Sequence, residues 1–395
     1  MYNATPLYIN GIGLCNPLGG NADEVAANLF AGTQSGMLLR EDLLHEGKVY
    51  VGQVTIDLPE LSSFSKHFQS RNNQLLLQAY KQIEPLVNEL KLQFSSTRFG
   101  IILGTSTSGI AQGEEAMGYR LDAESFPDSY DYRIQELSNP AEFLSEYAEL
   151  DGYVSVISTA CSSSAKSFIT AAEMISAGLI DVAIVGGVDS LCGMTVNGFS
   201  ALESTSDGIC NPSSVNRDGI NIGEAAALAV LSRKKSAIKF CSGGESSDAH
   251  HMSAPHPEGA GAKVAMQHAL TQAQLNPEDI SYINLHGTAT PKNDEMEAIA
   301  VASVFPNDTY VSSTKGCVGH TLGAAGATEI AFCYLALQHQ KMPPHIWDGE
   351  KDSAMPELNW VKAESQIEGG LKYCLSNSFA FGGNNVSLII GLEHE

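Results

Sequence analysis

The run from Val154 to Lys166 reads Val-Ser-Val-Ile-Ser-Thr-Ala-Cys-Ser-Ser-Ser-Ala-Lys. It opens with β-branched residues typical of a buried strand, then turns small and polar. Beyond it, Phe168, Ile169, Ala172 and Ile175 follow a helical spacing across Ser167 to Gly178. Cys161 is therefore expected where a strand ends and a helix begins. Free N–H groups and the positive end of the helix dipole favour a thiolate there, the nucleophilic form of cysteine. A buried cysteine acting only as a small hydrophobe is the competing reading. Two further turns carry histidine in a small-residue setting at the exit of an expected strand. They are His286 in Leu-His-Gly-Thr-Ala-Thr and His320 in Lys-Gly-Cys-Val-Gly-His-Thr-Leu-Gly. In layered α/β folds, strand exits on one sheet edge converge on a crevice. A cysteine and two histidines so placed suit nucleophilic chemistry with polar stabilisation of developing charge.

Metal binding is the rival reading. His250, His251 and His256 lie close in sequence, as do Cys317 and His320, but neither set has a structural-zinc spacing. The eight cysteines include no Cys-x-x-Cys pair, so neither a zinc ribbon nor a dithiol redox site is indicated. Gly11-x-Gly13 lacks a third glycine at Asn16 and reads as a turn rather than a dinucleotide fingerprint. No Gly-x-Ser-x-Gly elbow supports a serine hydrolase.

The elements that must position these residues alternate. Strands are expected at Leu7 to Gly13, Arg98 to Leu103, Val154 to Ile157, Asp181 to Gly187 and Ala225 to Leu231. Helices are expected at Ala22 to Gly32, within Asp57 to Tyr80, and after Cys161. Glu114 to Pro140 reads as an excursion that covers a site or meets a second subunit. From Ile238 the plan repeats: strands at Ile238 to Gly244, Ser281 to Leu285, Tyr310 to Lys315, Tyr373 to Asn377 and Asn385 to Leu392, with helices at Ala260 to Gln274, Asp294 to Ser303 and Gly323 to Gln338. This pattern predicts an α/β fold of two duplicated halves, residues 1–237 bearing the cysteine and 238–395 bearing both histidines.

With 395 residues, 43% of them hydrophobic, the chain has material for large cores. Forty-five acidic against 22 basic residues give a formal charge of −23, which argues against nucleic acid or an anionic membrane as the main partner. The N-terminal residues lack the charged and apolar regions of a signal peptide, and no apolar run is long enough to span a bilayer. A cytoplasmic setting with free thiols is expected.

Taken together, the motifs resemble the β-ketoacyl-[acyl carrier protein] synthases I/II of the thiolase superfamily. The resemblance rests on the Cys161 run, His286-Gly-Thr-Ala-Thr290 with Asp294, Lys315-Gly-x-x-Gly-His320, Gly-Ala-Ala-Gly-Ala-Thr-Glu329, Asn-Arg217-Asp-Gly and Asn-Ser-Phe-x-Phe381-Gly-Gly-Asn384. It covers nearly the whole chain, in family order. It implies a thiolase-like, duplicated five-layer α/β/α/β/α fold and decarboxylative Claisen condensation of malonyl-carrier with a Cys161-bound acyl chain. It implies acyl carrier protein as partner, no cofactor and no metal. A homodimer is expected across the Cys-bearing half, with Asp181 to Gly187 pairing with its copy, or a heterodimer with a homologous synthase or chain-length factor. The backbone N–H groups of Cys161 and Phe381 would form the oxyanion hole, Phe381 also acting as a gate. His286 and His320 would donate to the malonyl enolate, Lys315 would tune His320, and Glu329 would partner His320 or organise its loop. Asp294 would support the loop structure. Thr288 and Thr290 would hydrogen-bond the pantetheine arm, Ser253 would join them in binding substrate, and Thr107 would lie at the floor of the acyl tunnel. The run Thr105-Ser106-Thr107-Ser108 there is hydroxyl-rich; these groups either bond local backbone or face the tunnel, and in the second case they predict preference for short, unsaturated or aryl acyl groups over long saturated ones.

Ala380 and Asn384 depart from the family's usual Gly and Thr. Arg71 stands alone where several cations are common, and Asn211-Pro212 replaces the frequent Arg-Pro, which leaves carrier docking open. Fatty acid synthesis and a specialised aryl polyene or polyketide-like pathway are both open. A non-catalytic chain-length-factor-like subunit and a biosynthetic thiolase are the alternatives; the cysteine argues against the first and the two histidines against the second.

Overall fold

A computed structural model describes residues 6–393. The first run of elements is β1 (Leu7–Cys15), α1 (Ala22–Ala31), β2 (Met37–Arg40), β3 (Val49–Gly52), α2 (Arg71–Lys91), β4 (Phe99–Gly104), α3 (Ile110–Ala123), α4 (Asn139–Ala148), β5 (Tyr153–Ile157), α5 (Ser163–Ser176), β6 (Val182–Asp189), α6 (Gly193–Ala201) and β7 (Ala225–Ser232). The second is β8 (Ile238–Ser247), α7 (Ala260–Ala273), β9 (Ile280–Asn284), α8 (Pro291–Val304), β10 (Tyr310–Ser312), α9 (Lys315–Val318), α10 (Ala325–His339), β11 (Asn359–Trp360), β12 (Tyr373–Phe379) and β13 (Asn384–Leu392).

The strand order shows the repeat directly. The main sheet runs β11-β10-β9-β12-β13-β8-β1-β7-β6-β4-β5. Moving outward from β1, the order is β1-β7-β6-β4-β5; moving outward from β8, it is β8-β13-β12-β9-β10. Pairing senses match at every step: two antiparallel contacts, then two parallel ones. Central strands such as β6 are buried along their whole length, which explains why they read as unbroken apolar runs.

Helices α2 and α4 cover one face of the first sheet, and α7 and α8 cover the outer face of the second. Between the sheets, α5 and α10 pack on each other. These are the five layers expected. The α5–α10 contact is close because Gly326 lacks a side chain: a Cβ there would meet Ala165 at 2.7 Å. Any larger residue would push the two helices apart, and their N-termini carry the site.

Three expectations are corrected. Gly11 and Gly13 do not form a turn. They lie inside β1, where a Cβ on Gly13 would sit 2.0 Å from the carbonyl oxygen of Ala79 on α2. The helix expected to end near Tyr80 continues to Lys91 and carries Pro85 within it. Most consequential, the strand from Asp181 to Gly187 cannot pair with a second copy. As β6 it is hydrogen-bonded on both sides, to β4 and β7. The unpaired edge of this half is β5, with Tyr153 exposed and Val154, Val156 and Ile157 half-buried. An apolar edge of this kind calls for a covering partner.

Candidate active site

Cys161 follows β5 and precedes the first turn of α5, as its local pattern predicts. The turn is tight. Ala160 adopts a left-handed φ of 53°, a conformation unfavourable for a residue with a Cβ. Ser162 and Ser163 bond back to the carbonyls of Thr159 and Ala160 and hold the bend. The sulfur is thereby delivered to the floor of a cavity of about 430 Å³.

His320 Nε2 lies 3.0 Å from Cys161 Sγ. The His320 backbone is fixed by its N–H to Asn221 O (2.6 Å) and by Gly223 N–H to its carbonyl (2.9 Å). The ring of His286 stands edge-on to that of His320, with centroids 5.2 Å apart. Sulfur and nitrogen atoms of all three side chains fall within 4.8 Å of one another, and all three residues are buried. Cys161 and His286 thus meet from strand exits, as their sequence settings predict, whereas His320 reaches them not from the exit of β10 but from the loop after the short helix α9, which intervenes.

Lys315 is buried beside them. Its Nζ donates to the His286 carbonyl and to Glu329 Oε1, and lies 3.5 Å from His286 Nδ1. Lys315 therefore contacts His286 rather than His320, which it reaches only through its charge. Glu329 likewise pairs with Lys315 rather than with His320. The reason is geometric: Glu329 is on the second turn of α10, which faces the short helix α9 beginning at Lys315. With Nδ1 facing a cationic donor, His286 carries its proton on Nε2. His320 Nδ1 is buried without a partner among the described residues, and an unmet acceptor is tolerated better than an unmet N–H, which favours the same tautomer.

Burial pushes both imidazoles well below their ordinary pKa, and the Lys315 charge adds to this. Both rings are thus neutral N–H donors near neutral pH. Burial also pushes the Cys161 thiol up to about 11, opposed by the Lys315 charge and by the backbone N–H of Phe381. That N–H, together with the N–H of Cys161 itself, points at the sulfur. The resting nucleophile is therefore mainly thiol, not the thiolate that its helix terminus alone suggests.

Glu297, which the sequence analysis did not single out, anchors the histidine turn. Its carboxylate accepts from the N–H of His286 (2.8 Å) and of Gly287 (2.7 Å), and from Asn377 Nδ2 (3.1 Å). The available signal was a lone Glu within the apolar helical stretch Met296 to Val304. Asp294 is buried and accepts from the N–H of Ser213 (2.7 Å) and Ala289, so it ties two loops together. Thr288 and Thr290 line the cavity with their hydroxyls 2.9 Å apart, and Ser253 lines it from the loop after β8. Phe381 lies just beyond β12. Its ring packs against Phe199 at 5.6 Å, and Gly382 and Gly383 after it have φ of 85° and 79°.

Thr107 is not at the cavity. It is fully buried, and its hydroxyl donates to Asp189 Oδ1 at 2.8 Å. The same carboxylate oxygen takes the Thr105 hydroxyl and the N–H groups of Ser106 and Thr107. The hydroxyls have partners within the fold, so the inference from them to acyl preference does not hold. Arg71 is also committed: its guanidinium binds both oxygens of the fully buried Glu224 and the carbonyl of Val54. The histidines at 250, 251 and 256 stay outside the Cys161 group, as does Cys317, which is buried in the apolar core.

The duplicated five-layer fold, in which a cysteine and two histidines converge on one cavity, is thiolase-like. The chain belongs to the β-ketoacyl synthase family: residues 4–237 match its N-terminal domain and 238–347 its C-terminal domain. A ketosynthase from Xenorhabdus doucetiae, solved in complex with its chain length factor, is 42% identical over all of this chain and 99% of that one, with a TM-score of 0.95. The 3-oxoacyl-[acyl-carrier-protein] synthase 2 of Staphylococcus aureus is 36% identical over 248 residues, 58% of this chain and 61% of that protein. A 3-oxoacyl-[acyl-carrier-protein] synthase homolog of Saccharomyces cerevisiae is 35% identical over 61% of this chain and 59% of its own length. The matched region thus spans about three fifths of these curated relatives. Among the described residues, no helix is long and apolar enough to cross a membrane.

Proposed function

We propose that this protein is a β-ketoacyl-[acyl carrier protein] synthase. The observation that carries the reading is the 3.0 Å approach of His320 Nε2 to Cys161 Sγ, with His286 beside them, in one cavity. In the first half-reaction the sulfur attacks the acyl thioester. An S–C bond forms, the bond to the carrier's sulfur breaks, and the thiol proton leaves with the departing carrier thiol. The N–H groups of Cys161 and Phe381 face the carbonyl oxygen as it gains charge. In the second, malonyl-carrier loses carbon dioxide, and the Nε2–H groups of His286 and His320 donate to the enolate oxygen. The enolate carbon attacks the acyl-cysteine, and Cys161 leaves as thiolate and takes up a proton. Lys315 holds the donor tautomer of His286, and Glu329 balances its charge. Thr288, Thr290 and Ser253 line the path of the pantetheine arm, with Phe381 as gate.

Residues 1–237 and 238–395 are the two units of the duplication. The working assembly is a dimer through the β5 edge, either with a second copy or with a homologous chain-length-factor-like subunit. The second option is favoured by the 42% identical ketosynthase solved in such a complex. The pathway is a specialised one of aryl polyene or polyketide type, and the compartment is the cytoplasm, where eight free cysteines stay reduced. A non-catalytic role is disfavoured because nucleophile and both histidines are assembled.

Intact-mass measurement after exposure to a panel of acyl-carriers tests the reading. One acyl adduct on Cys161 is expected, converted by malonyl-carrier to a released chain two carbons longer. Absence of an adduct across the panel, or an adduct that persists in Cys161→Ala, overturns it.

A further inference from the structure

The group Cys161, His286 and His320 has a second chemical identity. A thiol sulfur and two imidazole nitrogens, all buried and all within 4.8 Å of one another, are the donor set that borderline-soft divalent metals select. Cys161 Sγ and His320 Nε2, at 3.0 Å, already stand as close as neighbouring ligands of one ion. Tetrahedral zinc, with bonds of about 2.0–2.3 Å, places its ligand atoms roughly 3.3–3.7 Å apart. His286 needs to close by only about 1 Å to complete three ligands, and the cavity leaves the fourth position open to water.

One neighbour opposes this. A histidine binds a metal through a nitrogen that carries no proton. Lys315 Nζ sits 3.5 Å from His286 Nδ1 and so keeps the His286 proton on Nε2, the nitrogen that faces the cavity. Metal binding requires that proton to move to Nδ1, against the lysine. The lysine charge also repels a dication from close range; Glu329, its ion-pair partner, stands on the other side of the balance. His320 has no cation at its Nδ1; moving its proton there leaves only a buried N–H without a partner among the described residues, a smaller obstacle than a facing charge.

We propose that Cys161, His286 and His320 form a latent site for zinc-class metal ions, and that Lys315 holds it closed. Occupation displaces one proton from the thiol to solvent as the metal–sulfur bond forms, and it blocks acylation until the metal leaves. Lys315 thereby has a role separate from condensation: it keeps a metal-ready constellation free of metal. The proposal goes beyond the condensation reading, and its test uses neither carrier nor acyl donor, so the two fail independently.

Cobalt(II) added alone to the full chain is the probe, because a cobalt–thiolate bond absorbs in the near ultraviolet and a tetrahedral ion in the visible. Lys315→Met combined with Glu329→Gln removes both charges of the buried pair, so no uncompensated charge remains in the core. That variant is expected to develop both absorptions and to bind cobalt and zinc at least about 10-fold tighter than the parent, a difference of about 1.4 kcal/mol. Adding Cys161→Ala to it is expected to abolish the near-ultraviolet band. Lys315→Arg, which keeps the charge, is expected to bind no tighter than the parent and serves as a second variant should the double change fold poorly. Equal affinity in parent and charge-free variant overturns the proposal, as does a band that survives Cys161→Ala or tighter binding by Lys315→Arg.

Discussion

Two corresponding strand exits, those of β4 and β9, show how one architecture yields a strut in one half and a working group in the other. Both strands occupy the same place in their half-sheets, and both exits are held by a buried carboxylate. After β4, Asp189 takes the side-chain hydroxyls of Thr105 and Thr107 along with backbone N–H groups. After β9, Glu297 takes only backbone N–H groups of the turn, those of His286 and Gly287. The first carboxylate consumes the side chains of its loop. The second fixes the loop and leaves the imidazole free to face the cavity. A second pair of exits completes the logic. β5 and β10 are also equivalent, and the duplication sets Cys161 and His320, which follow them, face to face.

Removing the nucleophile is expected to have the largest effect. Cys161→Ala should lower condensation by on the order of 10⁴-fold or more and give no acyl adduct by mass. Unchanged chain extension would place the chemistry elsewhere. Next come the imidazoles. His286→Ala and His320→Ala should each slow malonyl decarboxylation by roughly 10²–10³-fold, the usual effect of losing one oxyanion donor. They should differ in acylation: His320 touches the sulfur and His286 does not, so rapid-quench acylation should be slower in the first variant only.

A smaller effect is expected from the carboxylate behind His286. Hydrogen bonds to a charged acceptor contribute about 1.5–3 kcal/mol each, and Glu297→Gln weakens at least one, so turnover should fall about 10-fold. Its pH signature is specific. Burial lifts the Glu297 carboxyl from its ordinary 4.5 to about 7. Over that interval the folded chain holds a proton that the unfolded chain has released, so this group's contribution to stability falls as pH rises from about 4.5 to about 7. Denaturant titrations across that range should show a flatter profile for Glu297→Gln, and an identical slope would remove Glu297 from the account. The smallest catalytic effect belongs to Thr107→Val. It should cost about 1–3 kcal/mol in stability, because Asp189 loses a donor and the Ser190 N–H loses an acceptor. The order of preference among acyl donors should not change; a reordered panel would return Thr107 to the acyl path.

Much of the site was legible along the chain. Cys161 and His286 each follow a run that forms a strand and precede small residues, and those local patterns decide strand, exit and turn; His320 is announced by its small-residue loop alone, because the short helix α9 separates it from β10. The repeat of strand and helix was visible for the same reason. What failed involved partners far apart in sequence. The commitment of the Thr107 hydroxyl to Asp189 was invisible because that partner is 82 residues away. Lys315 was assigned to the nearer histidine in sequence, whereas it contacts the one 29 residues back. Glu297 was passed over because it holds the His286 turn through backbone N–H groups alone, which leaves no mark in the side-chain pattern of that loop.

The sequence by itself determined the kinds of group at the strand exits and the duplicated alternation that carries them, because periodicity and turn chemistry are properties of neighbouring residues. Only the tertiary structure decided that β6 is interior and β5 the free edge. It also decided that Lys315 serves His286, and that burial raises the Cys161 thiol to about 11 while keeping both imidazoles neutral. Those outcomes depend on which surfaces of two packed halves are removed from water together. Desolvation and Coulomb terms act through space, with no record in the order of residues.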